Sequence, residues 1–280
     1  MRVGFIGLGS QGSGMAHAIA RSRHTLSVWA RRAAATQTFV DAGAQAVASV
    51  AELGASCEIV CLCVTAEADV ADVLMTQGLL RAMPRGAVLA IHSTISPAAC
   101  RAFAADAARA GVELIDAPVS GGGDAARNGK LLVILGGEAD IIARASPVLS
   151  CFGDRLVHVG PVGAAQSAKI LNNLLFLSNF GAAIQALDIG KALNLDLHAL
   201  HSVIAGSSGS SRALEAFDYL TTAKMAGEIT PIMAKDLGLA RDLARTHGFD
   251  ITALEGAGAI ALTRLADFIE RHARGDDGLF

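Results

Sequence analysis

The sequence predicts an α/β domain with a doubly wound parallel sheet, followed by an all-helical domain. Through about the first 160 residues, short apolar runs alternate with helix-like stretches, which is typical of strands joined by crossover helices. Beyond that point the strand signals stop and only helical periodicity remains. We therefore predict two domains, residues 1–160 and residues 161–280.

The individual elements follow from the length and spacing of the apolar runs. The predicted strands are 2–6, 25–29, 58–63, 87–91, 112–116, 131–135 and 155–159. The predicted helices of the first domain are 11–22, 32–42, 66–74, 97–110 and 138–149. Ser96 and Pro97 support the fourth of these, as N-cap and first helical residue. In the second domain, helices are predicted over 164–193, 196–205, 211–221, 230–247 and 251–272.

Composition excludes several classes of protein. The chain has a formal net charge of -3 and no run of like charges, so neither nucleic acid nor a membrane surface is expected as a partner. The longest apolar stretch, residues 170–187, is interrupted by polar residues, so no membrane span is predicted. The first strand begins at residue 2 and leaves no space for a signal peptide. A soluble, cytoplasmic protein is expected.

The five cysteines point to reduced thiols. An odd number without CxxC spacing is typical of a protein in a reducing compartment. Cys61 and Cys63 alternate within an apolar run, as residues on one face of a buried strand do. His198 and His201 have no third ligand nearby in the sequence, which favours solvated helix residues. No metal site is predicted.

A glycine-rich turn follows the first strand and opens a helix. Gly7, Gly9 and Gly12 have GxGxxG spacing. In such a turn the first glycine permits the tight bend, the second lets a pyrophosphate approach the backbone, and the third lets the helix pack against the strand. We predict a dinucleotide site here, with a βα turn that binds nothing as the alternative. The further residues assigned to this site are Leu8, Gln11 and Val64.

The second strand ends in Ala30, Arg31 and Arg32, where a dinucleotide's ribose 2′ position is read. A site selective for NAD usually places an acidic residue there. Two arginines instead attract a 2′-phosphate, and no acidic residue occurs before Asp41. We therefore predict that NADP(H) is favoured over NAD(H). The alternative is that both arginines are solvated residues of the first helical turn.

Ordered motifs over essentially the whole chain resemble the β-hydroxyacid dehydrogenases. This family includes 3-hydroxyisobutyrate dehydrogenase, tartronate semialdehyde reductase and the glyoxylate/succinic semialdehyde reductases. The motifs are GFIGLGSQGSGMA near the start, HSTISP at 92–97, DAPVSGGGDAARNGKL at 116–131, GPVGAAQSAKILNN at 160–173 and KDLGLA at 235–240. The resemblance implies a Rossmann-type first domain and hydride transfer between a nicotinamide cofactor and a small 3-hydroxy acid or aldehyde- or keto-acid.

The resemblance also assigns roles to single residues. Ser120, Gly121 and Gly122 match the loop that holds the substrate carboxylate, and loop amides beside a hydroxyl suit an anion. Lys169 matches the catalytic lysine, and Asn173 matches the asparagine one helical turn further on. The remaining assignments are Thr94, at the nicotinamide end, and Lys235, which closes over the cofactor.

The residues themselves agree with a lysine acid/base. Lys169 and Asn173 share one helix face, in a stretch of small apolar residues; the alternative is a lysine snorkelling at a solvent edge. As an ammonium the lysine would protonate the nascent alkoxide, and as an amine it would act as the base for oxidation. With an ordinary pKa of about 10.4, oxidation requires burial and Lys235 to lower that pKa. His92 is expected to line the site without acting as the base.

Two further functions remain open. The first is an imine reductase of the related group, which lacks the lysine, and the second is a cofactor-binding module without activity. Lys169 and the 116–122 loop favour the dehydrogenase over both. We also expect a homodimer or homotetramer, because the 164–193 helix resembles elements that relatives pack between subunits. The polar 206–211 loop either closes over the site or only links two helices.

Overall fold

The computed structural model of the protein describes residues 1–274. The chain forms two compact units, Met1–Lys169 and a second unit that begins at Ile170. This division lies inside one continuous helix, which spans Ala164–Ala192. The predicted domains, residues 1–160 and 161–280, stay a prediction, and residues 275–280 lie outside the described part of the chain.

The first unit is built on one sheet, whose first six strands run parallel. The strands are β1 (Arg2–Ile6), β2 (Thr25–Trp29), β3 (Gln45–Ala46), β4 (Ile59–Leu62), β5 (Val88–Ile91), β6 (Glu113–Asp116), β7 (Val119–Ser120), β8 (Leu131–Gly136) and β9 (Gly153–Gly160). Their order is β3-β2-β1-β4-β5-β6-β8-β7, and β9 pairs with β8. The order of β1 to β6 is that of the Rossmann fold, in which ligands bind beyond the carboxyl ends of the strands. The predicted fold class is confirmed.

Eight α-helices, one 3-10 helix (Ala33–Thr36) and one π-helical segment (Asp72–Thr76) connect the described strands. The α-helices are α1 (Ser10–Ala20), α2 (Gln37–Asp41), α3 (Val50–Ser56), α4 (Glu67–Ala71), α5 (Leu79–Ala82), α6 (Pro97–Ala110), α7 (Gly122–Arg127) and α8 (Ala139–Leu149). The bounds of α6 match the prediction at both ends. Ser96 caps its start by accepting a hydrogen bond from the Ala99 amide, and Gly111, at a φ of 77°, ends it.

Strand residues alternate between two hydrophobic clusters on opposite faces of the sheet. Phe5 and Cys61 belong to one cluster, and Ile6 and Leu62 belong to the other. Burial on both faces is expected of a parallel sheet between helices. Cys63 packs against the same cluster as Cys61, as the alternation predicts, and burial raises its pKa to about 12. These thiols are protonated at neutral pH.

The second unit is helical, and α9 forms its core. Its helices are α9 (Ala164–Ala192), which starts in the first unit, α10 (Leu197–Ala205), α11 (Arg212–Glu215), α12 (Phe217–Leu220), α13 (Ala223–Thr246) and α14 (Thr252–Ala273). The α13 prediction is wrong at its start, which lies seven residues before 230. Thr222 caps the helix there, and Pro231 lies within it.

Among the described residues, α9 is the one helix with the length and composition of a membrane span. Its buried side chains recur every three or four residues, as Ile170, Leu174, Leu177 and Phe180 do. Ser178 donates a hydrogen bond to the Leu254 carbonyl at 2.8 Å, which ties α9 to the start of α14. These buried side chains belong to the hydrophobic core of the second unit, whereas other apolar side chains of α9 are exposed.

Candidate active site

The GxGxxG turn between β1 and α1 combines two glycines that the fold needs with one that it does not. A Cβ on Gly7, whose φ is 99°, would collide with the Cys63 carbonyl, and a Cβ on Gly12 would collide with the Gly7 carbonyl. A Cβ on Gly9 would meet no atom within 4 Å. The glycine at position 9 therefore leaves open space in front of the backbone, as the close approach of a pyrophosphate requires.

The start of α1 supplies donors for such an anion. Gly9 is the N-cap and no side chain caps the helix. The first amides of an α-helix have no intrahelical acceptor, and the helix dipole favours negative charge at this end. Leu8 and Gln11 are half-buried beside this end of the helix. The turn therefore fits the phosphates of a dinucleotide.

A depression of about 500 Å³ opens at the carboxyl end of β2. The residues that line it are Trp29, Ala30, Arg31, Ala33, Thr36, Ala46, Val47 and Ala48. Arg31 and Arg32 are both exposed, but only Arg31 belongs to this lining. The two arginines, which the sequence analysis assigned to the same role, therefore differ in whether they line this depression.

The predicted substrate loop follows β7 and leads into α7. Ser120 pairs with Leu132 of β8, which fixes the strand before the loop. Gly121 and Gly122 have φ values of 136° and 78°, which favour glycine strongly. A Cβ on Gly121 would also lie 2.8 Å from the Ala125 Cβ. The two glycines are therefore demanded by the backbone conformation of the loop.

Close helix packing brings this loop beside the dinucleotide turn. A Cβ on Gly14 of α1 would lie 2.7 Å from the Ala126 Cβ of α7. A Cβ on Gly123 would lie 3.1 Å from the carbonyl oxygen of Ser10. The start of α7 thus adjoins the start of α1. The predicted dinucleotide turn and the predicted substrate loop are more than a hundred residues apart in sequence, and they meet at one edge of the sheet.

Lys169 is half-buried on the second turn of α9, and the start of that helix is bonded to the end of β6. The Asp116 carboxylate accepts hydrogen bonds from the amides of Gly163 and Gln166, both at 2.9 Å. Four residues after Asp116 comes Ser120 of the substrate loop. One strand end therefore leads both to the lysine helix and to the predicted carboxylate site.

Val64 and Thr94 follow the carboxyl ends of β4 and β5, which are neighbours in the sheet. The Val64 amide donates a hydrogen bond to Ser93 Oγ at 2.9 Å. Both residues are half-buried. This position, beside the β1 turn and across the switch in strand order, is where the nicotinamide half of a dinucleotide lies in this fold.

In the second unit, one carboxylate joins two predicted site residues. Asp236 Oδ2 accepts a hydrogen bond from Asn173 Nδ2 at 2.6 Å, and Lys235 Nζ lies 3.0 Å from Oδ1. Asp236 is 5% exposed. Sequence reasoning missed Asp236, although it stands in the KDLGLA motif. The available signal was an acidic residue between buried apolar positions of a helix, at Met233 and Leu237.

His92 is buried in the core, whereas it was expected to line the site. It is 3% exposed and lies close to Phe5 and Phe152, and its Nδ1 is 2.7 Å from the Ala117 carbonyl oxygen. That carbonyl requires Nδ1 to be the protonated nitrogen. Burial lowers the pKa of His92 to about 4. The imidazole is therefore a neutral residue of the core. A position at the end of a strand does not by itself determine whether the side chain is exposed or covered by neighbouring elements.

Known proteins resemble the chain over both halves. Residues 2–160 match a family described as the NAD binding domain of 6-phosphogluconate dehydrogenase. Residues 163–272 match one described as NAD-binding of NADP-dependent 3-hydroxyisobutyrate dehydrogenase. The human mitochondrial 3-hydroxyisobutyrate dehydrogenase is 34% identical, over 86% of this chain and 75% of its own. The NAD-dependent L-serine dehydrogenase of Pseudomonas aeruginosa is 31% identical, over 94% and 91%.

Solved structures share the architecture. The 3-hydroxyisobutyrate dehydrogenase of Mycobacterium tuberculosis with L-serine has a TM-score of 0.82 at 26% identity, over 100% of this chain and 98% of that one. The protein Psf3, in complex with NADP+ and 2-OPP, has a TM-score of 0.79 at 26% identity, over 98% and 95%. An imine reductase of Myxococcus stipitatus, at 22% identity over 99% and 95%, has a TM-score of 0.65 and shares the fold.

The matched families, the relatives and the strand order agree with the motifs. Both halves of the chain match, so the agreement does not depend on the dinucleotide turn alone. The relatives at 31% identity or more include dehydrogenases of 3-hydroxyisobutyrate and of L-serine. The chain belongs to the β-hydroxyacid dehydrogenase family, as an NAD(P)-binding oxidoreductase of the 3-hydroxyisobutyrate dehydrogenase type.

Proposed function

We propose that the protein is an NADPH-preferring reductase of small aldehyde- or keto-acids, reversible as a dehydrogenase of 3-hydroxy acids, with Lys169 as its general acid/base. One observation carries the proposal. The end of β6 is bonded through Asp116 to the first turn of the Lys169 helix and continues directly into the Ser120 loop. The end of β6 thus positions both an amine and an anion-binding loop. This combination suits a substrate that carries both a carbonyl and a carboxylate.

Each residue then has a distinct task. When bound, the nicotinamide supplies or accepts the hydride. The amides of Gly121 and Gly122 and the Ser120 hydroxyl hold the substrate carboxylate. Lys169 donates a proton to the carbonyl oxygen during reduction and takes it back from the hydroxyl during oxidation. Asn173 does not titrate near neutral pH, so it orients the substrate oxygen or the lysine.

The preference for NADPH rests on Arg31. Its side chain lines the depression at the end of β2, and no acidic residue belongs to that lining. A guanidinium there forms a charge-assisted, bidentate pair with a 2′-phosphate and interacts more weakly with a neutral 2′-hydroxyl. Arg31→Ala should raise KM for NADPH about tenfold and leave KM for NADH unchanged. Arg32→Ala is the matched control and should change neither value. A wild-type preference for NADH would refute this part of the proposal.

We further propose a homodimer or homotetramer in the cytoplasm, with neither nucleic acid nor a membrane as partner. Apolar side chains of α9 stand exposed in the isolated chain, among them Leu171, Leu175 and Ile189. All five cysteines are free thiols. Light scattering coupled to gel filtration tests the assembly. A single species at 28.6 kDa contradicts it.

Initial rates of cofactor oxidation test the proposed reaction. The substrates are glyoxylate, succinic semialdehyde, tartronate semialdehyde and methylmalonate semialdehyde, and Lys169→Ala is measured in parallel. Turnover that drops by a factor of about a hundred or more in the variant supports a lysine acid/base. Equal turnover in the variant contradicts that role. Turnover of cyclic imines alone would favour the imine reductase reading, and cofactor binding without any turnover would favour a binding module.

A further inference from the structure

A fully buried glutamine connects α9 to the loop between β5 and α6. Gln166 has no exposed surface. Its Oε1 accepts a hydrogen bond from the Ile95 amide at 3.0 Å, and its Nε2 donates one to the Ser93 carbonyl at 2.9 Å. Both partners flank Thr94. A buried amide with both ends bonded fixes the separation of the two backbones that it joins.

A buried carboxylate holds the same turn of α9 from the neighbouring strand. Asp116 has no exposed surface, and its two oxygens accept from two different amides, those of Gly163 and Gln166. A Cβ on Gly136 of β8 would collide with Asp116 Oδ1, so that glycine makes space for the carboxylate. Burial raises the pKa of Asp116, and the amide hydrogen bonds oppose this. The Asp116 carboxylate therefore caps the start of α9, although Asp116 belongs to β6 and not to the helix.

The connection extends to a third strand. Ser93, whose carbonyl accepts from Gln166, also receives the Val64 amide on its hydroxyl. The ends of β4, β5 and β6 are thereby bonded to one helical turn. Lys169 comes three residues after Gln166 on that helix, so any shift of the turn moves the lysine relative to Val64 and Thr94.

We infer that Asp116 and Gln166 are positioning residues, which set the height and rotation of Lys169 over the strand ends that carry Val64 and Thr94. The inference rests on the proposed acid/base role of Lys169. Neither side chain is exposed, so neither touches substrate, and their effect on the reaction passes through the lysine. A misplacement of a reacting group by about 1 Å lowers a rate up to a hundredfold.

Two variants remove the connection with little change in shape. Asp116→Asn replaces one acceptor oxygen by a donor that faces an amide, and Gln166→Met removes both bonds of the glutamine. Each should lower kcat about ten- to a hundredfold. The Kd for NADPH should be unchanged, and the quenching of Trp29, the one tryptophan, reports it from the β2 depression. Ser167→Ala, which removes only a bond to the carbonyl of Gly163, the residue before α9, is the control and should change neither.

Gln166→Glu gives a readout that a merely structural residue would not change. A neutral glutamic acid donates to the Ser93 carbonyl and accepts from the Ile95 amide, whereas a carboxylate only accepts. The ratio of its kcat to that of the wild type should therefore fall as pH rises from about 5.5 to about 8.5. A ratio independent of pH overturns the inference. Variants that lower the melting temperature and leave kcat at the wild-type value overturn it as well.

A second measurement separates this inference from the proposed reaction. The five lysines can be labelled by reductive ¹³C-methylation, and Lys169→Ala identifies the signal of Lys169. Asp116→Asn and Gln166→Met should move the shift and titration midpoint of that signal, while Ser167→Ala leaves them in place. A moved signal in a protein without reductase activity supports the connection and rejects the reaction. An unmoved signal rejects the connection even if the enzyme is active.

Discussion

The dinucleotide turn of the first unit and the Asn173–Asp236–Lys235 cluster of the second differ in how much of them is visible in sequence. The turn is made within six residues, and two of its three glycines, Gly7 and Gly12, are required because a Cβ there would collide with a backbone carbonyl. The cluster joins positions 63 residues apart through one carboxylate, and nothing near Asn173 signals its partner. A requirement of the backbone produces a recognisable spacing of glycines in the sequence. A side-chain network between distant helices produces no spacing, so only the type of each residue can be seen.

Two glycine variants test whether the turn really divides into structural and ligand positions. Gly12→Ala places a Cβ against the Gly7 carbonyl, which cannot move without breaking the turn. We expect a loss of about 4 kcal/mol or more of unfolding free energy, or no soluble protein. Gly9→Ala meets no protein atom. Because Gly9 is the N-cap of α1, the change should lower the unfolding free energy by no more than about 1 kcal/mol, and it should weaken NADPH binding about tenfold or more.

Urea unfolding and Trp29 quenching measure these two effects separately. Gly227→Ala is a control for NADPH binding, because its Cβ also meets nothing within 4 Å and it lies outside the turn; inside α13 this change should raise the unfolding free energy by about 0.5–1 kcal/mol. If Gly9→Ala binds NADPH as the wild type does, the space in front of the turn is not used by a pyrophosphate. The distinction between the glycines would then be one of packing alone.

Most of the first unit could be predicted, because its strands are continuous apolar runs separated by strong breakers. The exceptions have physical reasons. β3 and β7 have two residues each, so no alternation develops in them. α3 is seven residues long, too short for a periodic signal, although Ser49 and Glu52 form its N-terminal cap.

The site could be predicted only where a motif records it. The loop at Gly121 and Gly122 was assigned through the motif that resembles the family's, and its role in binding substrate stays a prediction; the φ values of both residues favour glycine. Asp116 and Asp236 were not predicted as site residues. A buried carboxylate is recognised by its hydrogen-bond donors, and the donors of these two belong to other elements of the structure. His92 was misassigned because a strand end in the sequence does not say which residues the next loop covers.

His92 provides the next test, within the region that sequence describes best. Its pKa of about 4 in the folded protein lies below the ordinary 6.5, so the unfolded chain takes up a proton first as pH falls. Stability is therefore complete above pH 6.5 and decreases toward pH 4, by about 3 kcal/mol from this residue. His92→Asn keeps a donor near the Ala117 carbonyl and does not titrate.

The measurement is the unfolding free energy from urea titrations between pH 7 and pH 4, for both proteins. Other groups contribute equally to both, so the difference in slope isolates His92. Equal slopes for His92→Asn and the wild type would show that the ring accepts a proton in place.

Asp236 is the corresponding test for the region that sequence describes poorly. Asp236→Asn puts an amide nitrogen beside either Asn173 Nδ2 or Lys235 Nζ, so one of these two half-buried donors loses the Asp236 oxygen that it now faces. We expect a loss of about 1–3 kcal/mol in unfolding free energy. Asp242→Asn, on the same helix and paired only at the surface with Arg245, should change stability by less than about 0.5 kcal/mol.

The catalytic consequence depends on whether Asn173 is held by Asp236 for the reaction or only for the fold. If Asn173 orients the substrate oxygen, Asp236→Asn and Asn173→Ala should lower kcat by similar factors, and the double variant should lower it little further, because both changes remove one unit. Additive losses would mean that the two residues act separately. Loss of stability with an unchanged kcat would make the cluster a structural tie between α9 and α13, and the role assigned to Asn173 would then be wrong.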